Sequence, residues 1–259
     1  MKNIMTLLLA ILFSAGMAFA QNHNEAHVEQ VGEDLTAEIT QSGDFNYANQ
    51  DQSGIINEAY ISQSGNHNTA LQVQTDRGIY DDKWENKAEI DQSGNYNYAN
   101  QDQSRENKYA GIDQSGDFNI ATQLQTGVQS SATIIQSGSH NTAHQVQDMN
   151  AFFGFIEQSG DHNYANQDQD GMRNEAEIFQ SGDFNQAMQV QLGTTKFDEG
   201  MGRSTLLIDQ SGSHNWASQT QLTDVVSNAA SIYQEGDFNI ASQTQDGSGN
   251  VSTVWQIVQ

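Results

Sequence analysis

The chain contains no cysteine and no proline among its 259 residues, and only 9 Lys+Arg against 33 Asp+Glu. Without thiols it has no disulfide framework and no thiolate metal site. Without prolines, every backbone N–H is free to join a hydrogen-bonded ladder. A net charge of −24 argues against nucleic acid, whose phosphates select for Lys and Arg. Large apolar side chains are scarce as well: 11 Leu, 18 Ile, 11 Val and 11 Phe, or 51 residues. That lies just under the level of about one fifth at which a highly charged chain is usually disordered. It is too little for the core of an ordinary globular enzyme domain of this length. Either the chain is disordered, or a regular repeat replaces the usual core.

At the N-terminus, Lys2 precedes the apolar run from Met5 to Phe13, and Ala18-Phe19-Ala20 places small residues around a cleavage point. This predicts a secretory signal peptide over 1–20 and a mature chain from Gln21. The run is shorter than the ~20 residues that a membrane-spanning helix needs, and no second such stretch follows. Residues 21–27 read as a short flexible lead-in, and residues 28–259 as one repeat array.

The array is built on Ile-x-Gln-x-Gly-x-x-Asn-x-Ala-x-Gln-x-Gln, which occurs nine times without a mismatch at its named positions. Its first Gln is Gln41, Gln63, Gln92, Gln114, Gln136, Gln158, Gln180, Gln210 and Gln234. Its Gly is Gly43, Gly65, Gly94, Gly116, Gly138, Gly160, Gly182, Gly212 and Gly236. Its Asn is Asn46, Asn68, Asn97, Asn119, Asn141, Asn163, Asn185, Asn215 and Asn239. Its last Gln is Gln52, Gln74, Gln103, Gln125, Gln147, Gln169, Gln191, Gln221 and Gln245. Five of the eight spacings are 22 residues; the others, 29, 30 and 24, are insertions near 75–85, 193–203 and 222–225. Insertions confined to one half of a fixed unit are what a stacked solenoid tolerates, because loops leave the stack at a turn.

Each unit holds a weaker 11-residue half-repeat: Gln41 to Gln50 is echoed by Gln52 to Ile61. The second half drifts, with Arg105 and Met149 in place of its Gly, and Lys108, Ser130 and Phe152 in place of its Asn. Within each half the period is two. Asn46, Ala48, Gln50 and Gln52 share one parity, as do Asn57, Ala59, Ile61 and Gln63, which predicts strands with the invariant parity inward. Gly at the turns permits a backbone that other residues avoid, and no 3.6-residue apolar stripe supports a helix. The predicted fold is all-β, a two-sheet β-solenoid of 22-residue strand-turn-strand rungs.

An inner face of Asn, Ala and Gln is too polar for a conventional core, since each unpaired buried amide costs about 1–3 kcal/mol. Identical residues stacked in register at the ~4.8 Å strand spacing would satisfy one another. This predicts amide ladders of Gln41/Gln63/Gln92 and of Asn46/Asn68/Asn97, continued through every copy, beside Ile and Ala columns. The residue before each strict Asn is Phe45, His67, Tyr96, Phe118, His140, His162, Phe184, His214 or Phe238. This column reads as a ring stack along the turn edge or as a His-lined metal face, and the alternation of His with Phe and Tyr favours the stack. An end tier of such a rod, with unpaired strands and amides, has the form of a docking surface for another copy.

The pattern Gln41-Ser42-Gly43-Asp44-Phe45-Asn46-Tyr47-Ala48-Asn49-Gln50-Asp51-Gln52 resembles the curlin repeat of curli subunits, the bacterial functional amyloid. The resemblance covers roughly residues 28–259, and it implies that the matching Gln, Gly and Asn residues are the positions that stack and self-assemble. It further implies a subunit that crosses the outer membrane through a dedicated secretion channel. Such a subunit polymerises on a nucleator into extracellular cross-β fibres of the biofilm matrix and aids adhesion. Major subunit and nucleator both remain open.

Other classes fit less well. A β-helix enzyme needs carboxylates gathered with Arg or Lys, but the bases Arg77, Lys83, Lys87, Arg105, Lys108, Arg173, Lys196 and Arg203 are dispersed. The acids Asp44, Asp117, Asp161, Asp183 and Asp237 form a broken column that reads as a solvated turn edge. The Gly-Gly-x-Gly-x-Asp calcium nonapeptide is absent. No catalytic, cofactor or metal site is therefore assigned. A non-polymerising solenoid adhesin, binding through its inserted loops, is the alternative.

Overall fold

The computed structural model describes residues 23–75, 85–150, 152–193, 203–222 and 227–258. The leader predicted at 1–20, and most of the three insertions, lie outside the described residues. Among the described residues, twenty strands, numbered in chain order, form two parallel sheets of ten. The odd sheet is β1 (Glu25–Glu33), β3 (Tyr47–Ile55), β5 (Thr69–Thr75), β7 (Tyr98–Ser104), β9 (Ile120–Gln125), β11 (Thr142–Asn150), β13 (Tyr164–Met172), β15 (Gln186–Leu192), β17 (Trp216–Leu222) and β19 (Ile240–Asp246). The even sheet is β2 (Thr36–Ser42), β4 (Asn57–Asn66), β6 (Asn86–Asn95), β8 (Lys108–Ser115), β10 (Ser130–Ser137), β12 (Phe153–Ser159), β14 (Asn174–Ser181), β16 (Ser204–Ser211), β18 (Ala229–Glu235) and β20 (Val251–Ile257).

Each rung therefore gives one strand to each sheet, and every strand pairs with the strand one rung away. The register is that of the repeat: Ala48 faces Ala70 and Gln50 faces Gln72 in the odd sheet, and Ile39 faces Ile61 in the even sheet. Insertions do not disturb it, because Gln63 still pairs with Gln92 and Gln180 with Gln210. The core is a thin seam between the sheets, an Ala column from Ala48 to Ala241 against an Ile column from Ile61 to Ile232. Small side chains on one sheet let branched ones on the other interdigitate at close packing. The drifting half is buried as fully as the strict half: Lys108, Ser130 and Phe152 are each 3% exposed.

One boundary differs from the repeat-based expectation. Residues 25–27, which the motif alone leaves in the flexible lead-in, belong to β1. The cause is a tenth rung whose odd strand satisfies the motif only in part: Ala26 pairs with Ala48 and Gln30 with Gln52, but Val28 stands opposite Gln50. Asn24 completes it, its Oδ1 accepting the Asn46 N–H at 2.9 Å.

Candidate functional site

The glutamines form three continuous columns. In the even sheet Gln41 Nε2 donates to Gln63 Oε1 at 2.8 Å, Gln63 to Gln92 at 2.8 Å, and the chain of bonds runs on to Gln256, accepted from Gln234 at 2.8 Å. In the odd sheet, the column of Gln52 starts at Gln30, which donates at 2.7 Å, and ends at Gln245, which accepts from Gln221 at 2.8 Å. A parallel column starts at Gln50, which donates to Gln72 at 3.0 Å, and ends at Gln243, which accepts from Gln219 at 3.0 Å. The expected Gln ladders are therefore present, and the Gln50 column adds a third to the two named from the motif. In all three, the N-terminal rung donates to the C-terminal one.

The second amide hydrogen has a partner that the period does not disclose. Gln63 Nε2 also reaches the Tyr47 carbonyl at 3.1 Å, Gln52 the Thr36 carbonyl at 2.9 Å, and Gln50 the Glu38 carbonyl at 3.0 Å. Each of these bonds crosses from one sheet to the other. A Gln amide is thus used along the stack and across it, so polar side chains hold together a seam that apolar contacts alone fill thinly.

The asparagines do not form the amide-to-amide ladder expected of Asn46/Asn68/Asn97. Asn46 Oδ1 accepts the backbone N–H of Asn68 at 3.0 Å. Its Nδ2 donates to the Ser42 carbonyl at 3.0 Å and to the Gly65 carbonyl at 2.8 Å. Asn68, Asn97, Asn119, Asn141, Asn163, Asn185 and Asn215 repeat this triple role, as Asn97 shows with Asn119 N–H at 2.9 Å, Ser93 at 3.2 Å and Gly116 at 2.8 Å. Asn is one methylene shorter than Gln and sits where the chain bends, so its amide meets turn backbone before it can meet its counterpart. It serves buried peptide groups that no strand partner satisfies. In the last described rung, Asn239 Nδ2 bonds back to Asn215 Oδ1 at 3.0 Å.

The turn itself carries two left-handed residues. Gly116 has φ +102°, and a Cβ there would stand 2.0 Å from the Gly138 carbonyl oxygen, so stacked turns require glycine on two counts. Two residues later Phe118 has φ 59°, and the whole ring column shares this backbone, as His67 at 57° and His162 at 60° show. Bulky residues avoid that region at a cost of about 1–2 kcal/mol. Here the rings stack face to face from His23 to Phe238 at centroid distances between 4.6 Å (His23–Phe45) and 5.0 Å (Phe184–His214). Stacking of this kind contributes about 0.5–1.5 kcal/mol per pair, comparable with the strain. The column is therefore the ring stack.

The acidic turn residues are more than a solvated edge. Asp117 Oδ1 accepts the Asn95 N–H at 2.7 Å, Asp183 the Asp161 N–H at 2.8 Å, and Asp237 the Ser213 N–H at 2.7 Å. Each carboxylate ties its turn to the previous one. On the outer faces, burial pushes Asp102, Asp113, Asp168, Glu177 and Asp209 above the usual carboxylate range, and neighbouring acids Asp91 and Asp170 add to the effect at Asp113 and Asp168.

Compared with known proteins, residues 32–71 match the family model of the curlin associated repeat. No curated protein matches the chain. The matched stretch contains the first strict motif, Gln41 to Gln52, and its side-chain columns continue in register through the further rungs. Residues 32–71 are thus similar to the curlin associated repeat, and the rungs that follow keep the register of that stretch.

Proposed function

We propose that the chain is an exported structural subunit that self-assembles end to end into extracellular curli-like amyloid fibres serving the biofilm matrix and surface adhesion. The observation that carries this reading is the set of three Gln columns, two running through all ten described rungs and one through nine, in a stack whose first and last described strands have no partner on one side. A bare parallel edge that also displays laddered amides is a template for another identical rung. The −24 charge would slow premature association and keep the unassembled chain soluble. The predicted leader at 1–20 supplies export. Family resemblance supplies the remaining partners, an outer-membrane secretion channel and a nucleator, with this chain as either the bulk or the nucleating subunit.

Seeded kinetics test the reading. The purified exported chain should assemble after a lag that sonicated fibre fragments abolish, and the fibres should diffract at about 4.8 Å along the axis. A chain that stays monomeric for days at micromolar concentration, with or without fragments, would instead be a solenoid adhesin.

A further inference from the structure

The two ends of the stack are chemically different. At the N-terminal rung, no described residue donates to Gln30 Oε1 or Gln41 Oε1, the first members of their columns. At the C-terminal rung, Gln245 Nε2 donates only to the Ala229 carbonyl at 2.8 Å and Gln256 Nε2 only to the Ile240 carbonyl at 2.7 Å. The hydrogen that every inner rung hands to the next Gln is left over there. One end accepts and the other donates. The first rung also carries Glu25, Glu29, Glu33, Asp34 and Glu38 with no Lys or Arg, whereas residues 240–258 carry only Asp246. Two N-terminal ends would bring like charges and like acceptors together.

Two exceptions to the columns sit at these opposite ends. Val28 occupies the place that Gln holds in the nine other described rungs, and it leaves Gln50 Oε1 buried with no partner among the described residues. Ser252 occupies a column that is otherwise Ala, Gly or Leu, pairing with Ala230. Its Oγ accepts from Gln243 Nε2 at 2.6 Å, and Gln243 is the last member of the column that Val28 interrupts.

We infer that a second copy docks head to tail in register, placing Val28 of one copy over Gln243 of the other, with Ser252 as the substitute acceptor at that joint. This rests on the assembly reading above and adds its polarity and register. The last strand lies in the even sheet and the first in the odd sheet, so both sheets continue with no strand doubled or missing. Gln245 then donates to Gln30 and Gln256 to Gln41, Ala241 meets Ala26, and Phe238 stacks on His23. Only at Gln243 does the ladder fail, and there Ser252 takes its amide while Val28 closes the joint without a polar group. The joint thus differs from every inner step by this one matched pair.

The test is a double-mutant cycle on fibre elongation, each variant growing on seeds of its own sequence. Ser252→Ala strands the Gln243 amide beneath Val28, and elongation should fall about tenfold, the usual effect of one buried unpaired donor. Val28→Gln alone puts an acceptor into the joint while Ser252 still takes the Gln243 amide, so elongation should fall severalfold. The double variant should return to within about twofold, since the glutamine introduced in place of Val28 accepts from Gln243. Within one copy these residues lie nine rungs, about 43 Å, apart, a separation at which effects add. Rescue therefore requires contact between copies. Additive effects, in a parent that elongates from seeds, overturn this register and leave the assembly reading standing. A parent that does not elongate at all overturns both. Melting followed by circular dichroism identifies any variant that fails to fold, and Ser252→Thr, which keeps the hydroxyl, should then elongate like the parent; a tenfold loss in that variant overturns the role given to Ser252.

Discussion

Gln63 Nε2 lies 2.8 Å from Gln92 Oε1 and 3.1 Å from the carbonyl oxygen of Tyr47, so one amide joins neighbouring rungs and opposite sheets together. Stability in this fold should therefore respond more to amide chemistry than to side-chain volume.

Gln114→Leu, which keeps shape and removes the amide, leaves Gln92 without its acceptor, Gln136 without its donor and the Tyr98 carbonyl unserved. With about 1–3 kcal/mol for each stranded group, the loss should be on the order of 3–5 kcal/mol. The outward Asn100→Ala should stay within about 0.5 kcal/mol. Urea unfolding midpoints compare the two, and equal shifts would contradict the assigned facing.

Asn97 should not be replaceable by its homologue. Asn97→Gln lengthens a side chain whose three partners are fixed backbone groups, so it should destabilise about as much as Asn97→Ala, by roughly 2–4 kcal/mol. Retention of parent stability in the Gln variant would mean that the column is an amide ladder after all.

Gly116→Ala and Gly247→Ala separate strain from collision. Both positions have positive φ, +102° and +90°, but the new Cβ at 116 meets the Gly138 carbonyl at 2.0 Å, whereas at 247 its nearest neighbour is Asn250 Nδ2 at 3.9 Å. Gly247→Ala should cost only about 1 kcal/mol of backbone strain. Gly116→Ala should cost several times more and shift the denaturation midpoint accordingly.

Acid should stabilise the stack. Asp102, Asp113, Asp168, Glu177 and Asp209 are pushed up by burial, so the folded chain takes up their protons before the unfolded chain does. Stability then rises as pH falls from neutrality through the raised values, and the gain levels off below the ordinary values of 3.8 for Asp and 4.5 for Glu. Glu89 opposes the trend. Burial pushes it up, but hydrogen bonds from Lys87 and Tyr109 outweigh this and hold it below its usual range. Asp168→Asn should flatten the slope of urea midpoint against pH, and a midpoint that falls from pH 7 to 5 would count against the assignment.

Ser130 Oγ is buried with no partner among the described residues. Ser130→Ala should be neutral or stabilising by up to about 1 kcal/mol, because it removes a desolvated hydroxyl that gains nothing in return. A loss of 1 kcal/mol or more in thermal unfolding would show that the hydroxyl has a partner after all.

The sequence alone determined which residues stand one rung apart. A 22-residue repeat with a two-residue alternation brings Gln41 under Gln63, Ile39 under Ile61 and Phe45 beside His67 whatever the distance between the sheets. The first rung was legible only in part, because Val28 breaks the motif, although Asn24, Ala26 and Gln30 keep its parity. Tertiary structure alone decided the relationships that cross the rung. How far apart the sheets stand sets whether Gln63 reaches Tyr47, and how tightly the turn bends sets whether Asn46 meets Asn68 or the backbone around it. A period fixes what repeats along the axis, but the spacing of two packed sheets follows from side-chain volumes and hydrogen-bond lengths acting together, and these have no signature in residue order.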